Sequence, residues 1–264
     1  MTNYWKPFLV LASLALAVAF VSPAAAERRV ALIVGNADYK YVSRLKNPVN
    51  DAKDIAEMLD KELAFEVISV VDARKDQIDG ALADFSRKAA GADVVLFYYA
   101  GHAVRHNGKN FLLPIDIAVK EIAEVESKAV DMDRVRLALA KTAGVDIIIL
   151  DACRNSPFDI VASRVVDEGT PSRGLERMNL TAISGAKGIL VAYAAAPHLV
   201  ALDGAGRNSP FAQALIRNLK APGIEIRHLF NLVSDDVARA TNGKQSPEIG
   251  SRIYGEYYLR PSGR

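Results

Sequence analysis

Apolar runs of strand length recur along this chain at 30–34, Glu66–Val71, 93–99, 145–150 and 188–194, and they constrain its fold more than any other feature. Several are nearly unbroken Val, Ile and Leu. That is how strands buried on both faces read, and such strands occur almost only in parallel sheets covered by helices. The stretches between them carry helical period. Pro48–Leu63 sets Val49, Ala52, Ile55, Ala56 and Leu59 on one stripe, and 76–90 does the same with Ile78, Leu82, Phe85 and Ala89. A shorter helix is expected at 132–140. Ser209-Pro210 reads as an N-cap followed by proline at the first helical position, opening a helix over 211–219, and Ile226–Ala240 is the last amphipathic helix. Strand–helix–strand repetition predicts one α/β domain, a mostly parallel central sheet with helices on both faces.

Composition narrows the function classes. Half of the 264 residues are apolar and 24% are charged, the balance of a folded globular chain. Lys+Arg 33 against Asp+Glu 31 leaves +2, with no basic block or zinc-finger spacing, so no nucleic-acid partner is expected. A single cysteine excludes an internal disulfide framework and any cysteine-rich metal site. The four histidines form no HExxH, and no Gly-x-Gly-x-x-Gly or P-loop speaks for a nucleotide enzyme. The segment 156–185 shows little apolar period and is longer than most connections in compact domains, as functional or mobile loops are.

The amino terminus reads as targeting. Lys6 precedes an apolar run over 8–21, then Ser22-Pro23-Ala24-Ala25-Ala26. This is the pattern of a secretory signal peptide at 1–26, cleaved after Ala26. The run falls short of the ~20 residues of a comfortable membrane span, an uncleaved anchor being the alternative. The expected product is an exported chain, 27–264, periplasmic or secreted, with no membrane attachment after signal-peptide removal.

Reactive groups of open parallel sheets gather where the chain leaves the carboxyl ends of strands. Two such places carry unusual residues: Ala100-Gly101-His102-Ala103 after the third run, and Asp151-Ala152-Cys153-Arg154-Asn155 after the fourth. If the two strands are neighbours, an imidazole faces the only thiol. A nearby imidazole can take the thiol proton and return it to a leaving amine. Taken singly, Cys153 reads as a small buried hydrophobe and His102 as a loop imidazole bonded to a carbonyl. Pairing them changes that reading.

His102 lies about 50 residues upstream of Cys153, the separation that accompanies the caspase signature Q-A-C-[RQG]-G. Tyr98-Tyr99-Ala100-Gly101-His102 and Leu150-Asp151-Ala152-Cys153 resemble the bacterial caspase-like peptidases related to metacaspases. So do the segment from Ala31 to Tyr39, the segment from Leu45 to Ala52, and Gly206-Arg207-Asn208-Ser209-Pro210-Phe211. The resemblance runs from about Arg28 to the carboxyl terminus. It implies a caspase-like three-layer sandwich and a cysteine endopeptidase acting through an acyl-enzyme, with Cys153 as nucleophile and His102 as general base and acid. It also implies an oxyanion hole from the backbone N–H groups of Cys153 and Ala103.

Family pocket positions carry Asp51 and Asp151, with Ala100 at a third. Two carboxylates in a small pocket suit a guanidinium or ammonium, so the expected substrates are peptides or proteins cut after Arg or Lys. Asp51 also reads as a first-turn helix acid. The resemblance implies an extended substrate beside the strand edge near the 188–194 exit. The loop after Cys153 holds Arg164, Arg173 and Arg177, and Arg173-Gly174 is a candidate self-cleavage point.

No cofactor is required on this reading and no metal ligands are assigned, although calcium stimulates many relatives. Asp116 stands where one such ligand occurs, with Asp131, Asp133 and Asp159 loosely placed. His106, His198 and His228 receive no role, and Asn179-Leu180-Thr181 is a chance-level glycosylation triplet. The chain departs from the family at Ala103, where glycine is usual. If that position needs a positive φ, a Cβ there strains the oxyanion donor. The alternative is then a catalytically inactive relative that binds peptides or proteins.

Overall fold

The structure is a computed structural model that describes residues 26–153, 178, 187–196 and 201–262. In chain order the strands are β1 (Arg29–Gly35), β2 (Glu66–Val71), β3 (Val94–His106), β4 (Lys109–Leu112), β5 (Val130–Asp131), β6 (Val145–Cys153), β7 (Gly188–Tyr193) and β8 (Glu248–Ile253). The helices are α1 (Pro48–Leu63), α2 (Lys75–Ala89), α3 (Val125–Lys128), α4 (Met132–Leu139), α5 (Pro210–Leu219) and α6 (Ile226–Ala240). The sheet runs β2-β1-β3-β6-β7-β8, parallel except for β8, which closes the far edge antiparallel to β7. β4 and β5 hang from the end of β3 as a small antiparallel extension.

Strict alternation along the buried strands sorts two cores. Ala31, Ile33, Leu96, Tyr98, Ile147, Ile149, Leu190 and Ala192 face α1, α5 and α6. Val30, Leu32, Val95, Phe97, Tyr99, Ile148, Leu150 and Val191 face α2 and α4. The expected three layers are present. α1 lies so close on the end of β1 that a Cβ on Gly35 would sit 2.5 Å from both Ala52 Cβ and the Pro48 carbonyl oxygen. That contact brings the first turn of α1, with Asp51, over the carboxyl ends of the strands.

Two expectations need correction. His102 and Cys153 do not follow their strands; they lie within them, because β3 runs on to His106 and β6 to Cys153. Where β1 ends at Gly35, β4 takes over as the neighbour of β3, so the ladder continues past residue 100. The return is a two-residue turn with Asn107 at φ 49° and Gly108 at φ 73°, the Asn-Gly chemistry of a tight hairpin. β8 was also outside the expected strands. Most of the long segment 156–185, with Asp159, Arg164, Arg173 and Arg177, lies outside the described residues, as do His198 and Asn179.

Candidate functional site

β3 and β6 pair in parallel from Val94 opposite Val145 to His102 opposite Cys153, so the histidine and the cysteine are the last matched positions of the central ladder. Parallel pairing in this register follows from two buried runs of similar length lying side by side. It makes neighbours of residues far apart in sequence.

The His102 side chain is held closely. It is 5% exposed. Nε2 lies 2.8 Å from the carbonyl oxygen of Ser43 and 3.5 Å from the Ser43 hydroxyl. A carbonyl only accepts, so the network assigns the ring proton to Nε2 and leaves Nδ1 as the basic nitrogen. Nδ1 is buried and has no hydrogen-bond partner among the described residues. Burial pushes the imidazole below its ordinary value, opposed by the Ser43 carbonyl and by the charge of Asp203. The ring is thus kept neutral, the form a general base needs.

Ala103 is buried in the core that faces α2 and α4. Among the described residues, positive φ at non-glycine positions occurs only at Ala64, Asp72, Asn107 and Asn242, so Ala103 carries no such strain. Beside the histidine it is Gly101 that has a positive φ, 152°. His102 O accepts from Leu113 N at 3.0 Å, and Ala100 O accepts from Asn36 N at 2.9 Å. Alternation along β3 then turns the Ala103 N–H away from β4 and toward β6, the strand that carries Cys153.

The two acids expected in the pocket converge. Asp51 is 1% exposed and Asp151 is 8% exposed. Both line one small, partly open pocket together with Leu45, Pro48, Gly101, Asp203 and Ser209. Ser209, the N-cap of α5, joins them. Its N–H donates to Asp51 Oδ1 at 3.0 Å, and its hydroxyl donates to Asp151 Oδ2 at 2.7 Å while accepting from Ala212 N at 3.0 Å. The Tyr98 hydroxyl also donates to Asp151 Oδ2, at 3.4 Å. Burial and then the neighbouring Asp151 charge raise Asp51 well above the carboxylate range. Burial does the same to Asp151, against its two hydroxyl donors.

Sequence reading did not find Asp203, whose Oδ2 and Oδ1 accept the Lys46 and Asn47 N–H groups at 2.6 and 3.0 Å. Nor did it give roles to Tyr39, Ser43 or Tyr98. Ser209 was legible as a cap, not as a pocket residue. Nothing in local pattern marks Asp203, which reaches the pocket because Gln245 holds its segment. Gln245 Oε1 accepts from Leu202 N at 3.1 Å and its Nε2 donates to Ala194 O at 2.8 Å.

Three of the four acids considered for calcium, Asp116, Asp131 and Asp133, are engaged within the chain, and Asp159 lies outside the described residues. Asp116 Oδ1 accepts from Lys75 N, Asp131 caps α4 by accepting from Asp133 N, and Asp133 pairs with Arg136. Among the described residues, no three His, Cys, Asp or Glu side chains converge as a metal requires. No step below runs through calcium.

A mostly parallel sheet covered by helices on both faces, with a histidine and a cysteine in register beside an acidic pocket, is the arrangement of a caspase-like fold. Residues 28–258 match the Caspase domain family, and the chain belongs to that family. It is similar to the human mucosa-associated lymphoid tissue lymphoma translocation protein 1, at 25% identity over 232 residues, covering 86% of this chain and 26% of the human protein. The mouse homologue is 29% identical over 129 residues, covering 49% of this chain and 15% of that one. The chain therefore spans about a quarter or less of the length of these relatives. Among solved structures, pro-sf-caspase-1 superposes with a TM-score of 0.62 at 19% identity, covering 89% of this chain and 92% of that one. Protein GSU0716 from Geobacter sulfurreducens gives 0.60 at 17% identity, covering 85% and 93%. Both share the fold.

Proposed function

We propose that this chain is a cysteine endopeptidase that cuts peptide bonds after Arg or Lys. The observation that carries the reading is the convergence of Asp51, Asp151 and Asp203 on one pocket beside the strand ends that bear His102 and Cys153. Caspase-domain membership supports the peptidase class. In this mechanism, Nδ1 of His102 takes the proton of the Cys153 thiol, and the thiolate attacks the scissile carbonyl carbon. The oxygen that gains charge is met by the N–H groups of Ala103 and Cys153, donors of a kind worth about 3–4 kcal/mol each in other enzymes. Collapse expels the amine, which leaves with the proton from His102. Water, deprotonated by the same ring, then hydrolyses the acyl-enzyme.

The residue before the cut enters the acidic pocket. A guanidinium there makes charge-assisted bonds to Asp51 and Asp151, whereas an aspartate side chain would meet like charge. An inactive binding module loses its main support, since Ala103 has no backbone strain. Export after removal of residues 1–26, and self-cleavage at Arg173, belong to the same proposal.

The test is hydrolysis of fluorogenic peptides ending in Arg, Lys or Asp by residues 27–264, with and without calcium, beside Cys153→Ala. Cleavage after Arg and Lys alone, abolished by the substitution, is the expected result. Preference for Asp, or equal rates from Cys153→Ala, would overturn the reading.

A further inference from the structure

The loop between β1 and α1 touches His102 more than once, and two phenols account for most of the grip. The hydroxyl of Tyr39 accepts the His102 backbone N–H at 2.8 Å, and the Tyr99 hydroxyl donates to the His102 carbonyl oxygen at 2.6 Å. The two hydroxyls lie 3.2 Å apart, and both also reach the Leu113 carbonyl oxygen, at 3.3 and 3.0 Å. The ring of Tyr39 packs on the imidazole itself, centroids 4.7 Å apart and tilted by 49°. Both tyrosines are essentially unexposed.

Gly101 explains why the phenols come so close. A Cβ at this residue would lie 2.6 Å from the Tyr39 hydroxyl and 2.8 Å from that of Tyr99. The hydroxyls occupy the space that a side chain before the histidine would need. In an unbroken antiparallel ladder the His102 N–H would donate to the Leu113 carbonyl, but that oxygen faces the two phenols. The central strand has exchanged one ladder bond for a side-chain clamp at the residue whose ring must stay fixed.

We infer that Tyr39, with Tyr99 beneath it, is a positioning residue for the cysteine-peptidase reaction: it holds His102 by main chain and ring so that Nε2 stays on Ser43 and Nδ1 stays directed for proton transfer. This rests on the role of His102 proposed above. The clamp acts on three parts of one residue: N–H, C=O and ring face. Ser43, from the same loop, holds the fourth. A small displacement of a reacting group can cost about 10²-fold in rate, so such a clamp has kinetic consequences. The charged and titratable groups that face His102 among the described side chains are Asp203 across the pocket and Tyr39 and Tyr99 against its main chain; Cys153 is its register partner on β6.

Tyr39→Phe tests the inference, because it keeps the ring and removes the acceptor of the His102 N–H. Expected are a kcat lowered about tenfold or more with KM changed less than twofold, and an acid limb of kcat moved up toward the ordinary imidazole value. A readout without substrate is the rate of Cys153 alkylation by iodoacetamide against pH, expected to show its acid limb moving the same way. Tyr39→Leu, which also removes the ring, should be worse than Tyr39→Phe in both readouts. Thermal melting run alongside identifies variants that do not fold, and kinetics are compared at a temperature where all variants are folded.

A purely structural role predicts a lower Tm with kcat and both pH profiles as in the wild type, and that result overturns the inference. Should His102→Ala retain wild-type activity, the underlying reading of the dyad fails first. Should His102→Ala be inactive while Tyr39→Phe is kinetically unchanged, only the clamp fails.

Discussion

His102 Nε2 sits 2.8 Å from the Ser43 carbonyl oxygen, which places the ring proton on that nitrogen and leaves Nδ1 as the acceptor. Burial holds the imidazole below its ordinary value of 6.5. A group so lowered is neutral at pH 7 and gains its proton only as pH falls beneath that ordinary value. The acid limb of kcat, which reports the substrate-filled enzyme with the pocket carboxylates already paired, is therefore expected below pH 6.5, and His102→Gln should cost about 10²–10⁴-fold in kcat. A limb at or above pH 6.5 in the wild type would contradict the assignment.

Ala103, where the family resemblance implies glycine, carries no backbone strain and is buried in the core on the α2 and α4 face. Ala103→Gly should leave kcat/KM within about threefold and lower stability by about 0.5–1 kcal/mol through added freedom of the unfolded chain and lost packing. Denaturant melts and peptide kinetics check both halves. A large gain in activity would show that the methyl obstructs the oxyanion donor after all.

Asp51 and Asp151 share one pocket and one bridging residue, so an empty pocket keeps a proton that a cationic side chain displaces. Asp51 is raised from 3.8 to about 8, so the unfolded chain releases this proton at lower pH than the folded one. Stability thus falls as pH rises across that window, by the linkage sign. Asp51→Asn should raise Tm at pH 7.5, while lowering kcat/KM on arginine peptides by about 30–1,000-fold, the range for truncating one partner of a buried charge pair. Functional strain of this type is expected at a binding site. Lower Tm together with unchanged arginine cleavage would count against the pocket assignment.

The strands were legible because burial on both faces leaves Val, Ile and Leu runs that no surface element imitates. β2 and α1 were read to the residue. That His102 and Cys153 sit on neighbouring strands was legible from a lone cysteine and a histidine near the ends of two buried runs. β4 and β8 were not, because one is four residues long and the other is half-exposed at the sheet edge without a strong apolar run. The Asn107-Gly108 turn was present in the sequence as a hairpin signal and would have extended β3 past His102. Ser43 and Tyr39 act through a carbonyl oxygen and a phenol on a loop. Their partners are fixed by tertiary approach alone, so no local period announces them.

Asp146 occupies β6 one turn of the pleat below Ile148, fully buried, and both its carboxylate oxygens lack a hydrogen-bond partner among the described residues. Desolvation alone raises it from 3.8 to about 8. No part of the proposed reaction uses it. In the unfolded chain this acid ionises near its ordinary value, whereas in the folded chain it stays protonated until about pH 8. The folded state therefore loses stability as pH climbs from roughly 4 to 8, and the loss levels off above that. Asp146→Val should remove its share of this slope, leaving the part due to Asp51, and raise Tm by several degrees at pH 8, with a much smaller gain at pH 5, because an apolar side chain there leaves nothing unsatisfied. Asp146→Asn should also flatten the slope but gain less, since its amide keeps polar atoms without partners. Peptide cleavage should be unchanged in both variants. A pH slope that Asp146→Val leaves unchanged would show that the carboxylate finds a partner in the folded chain.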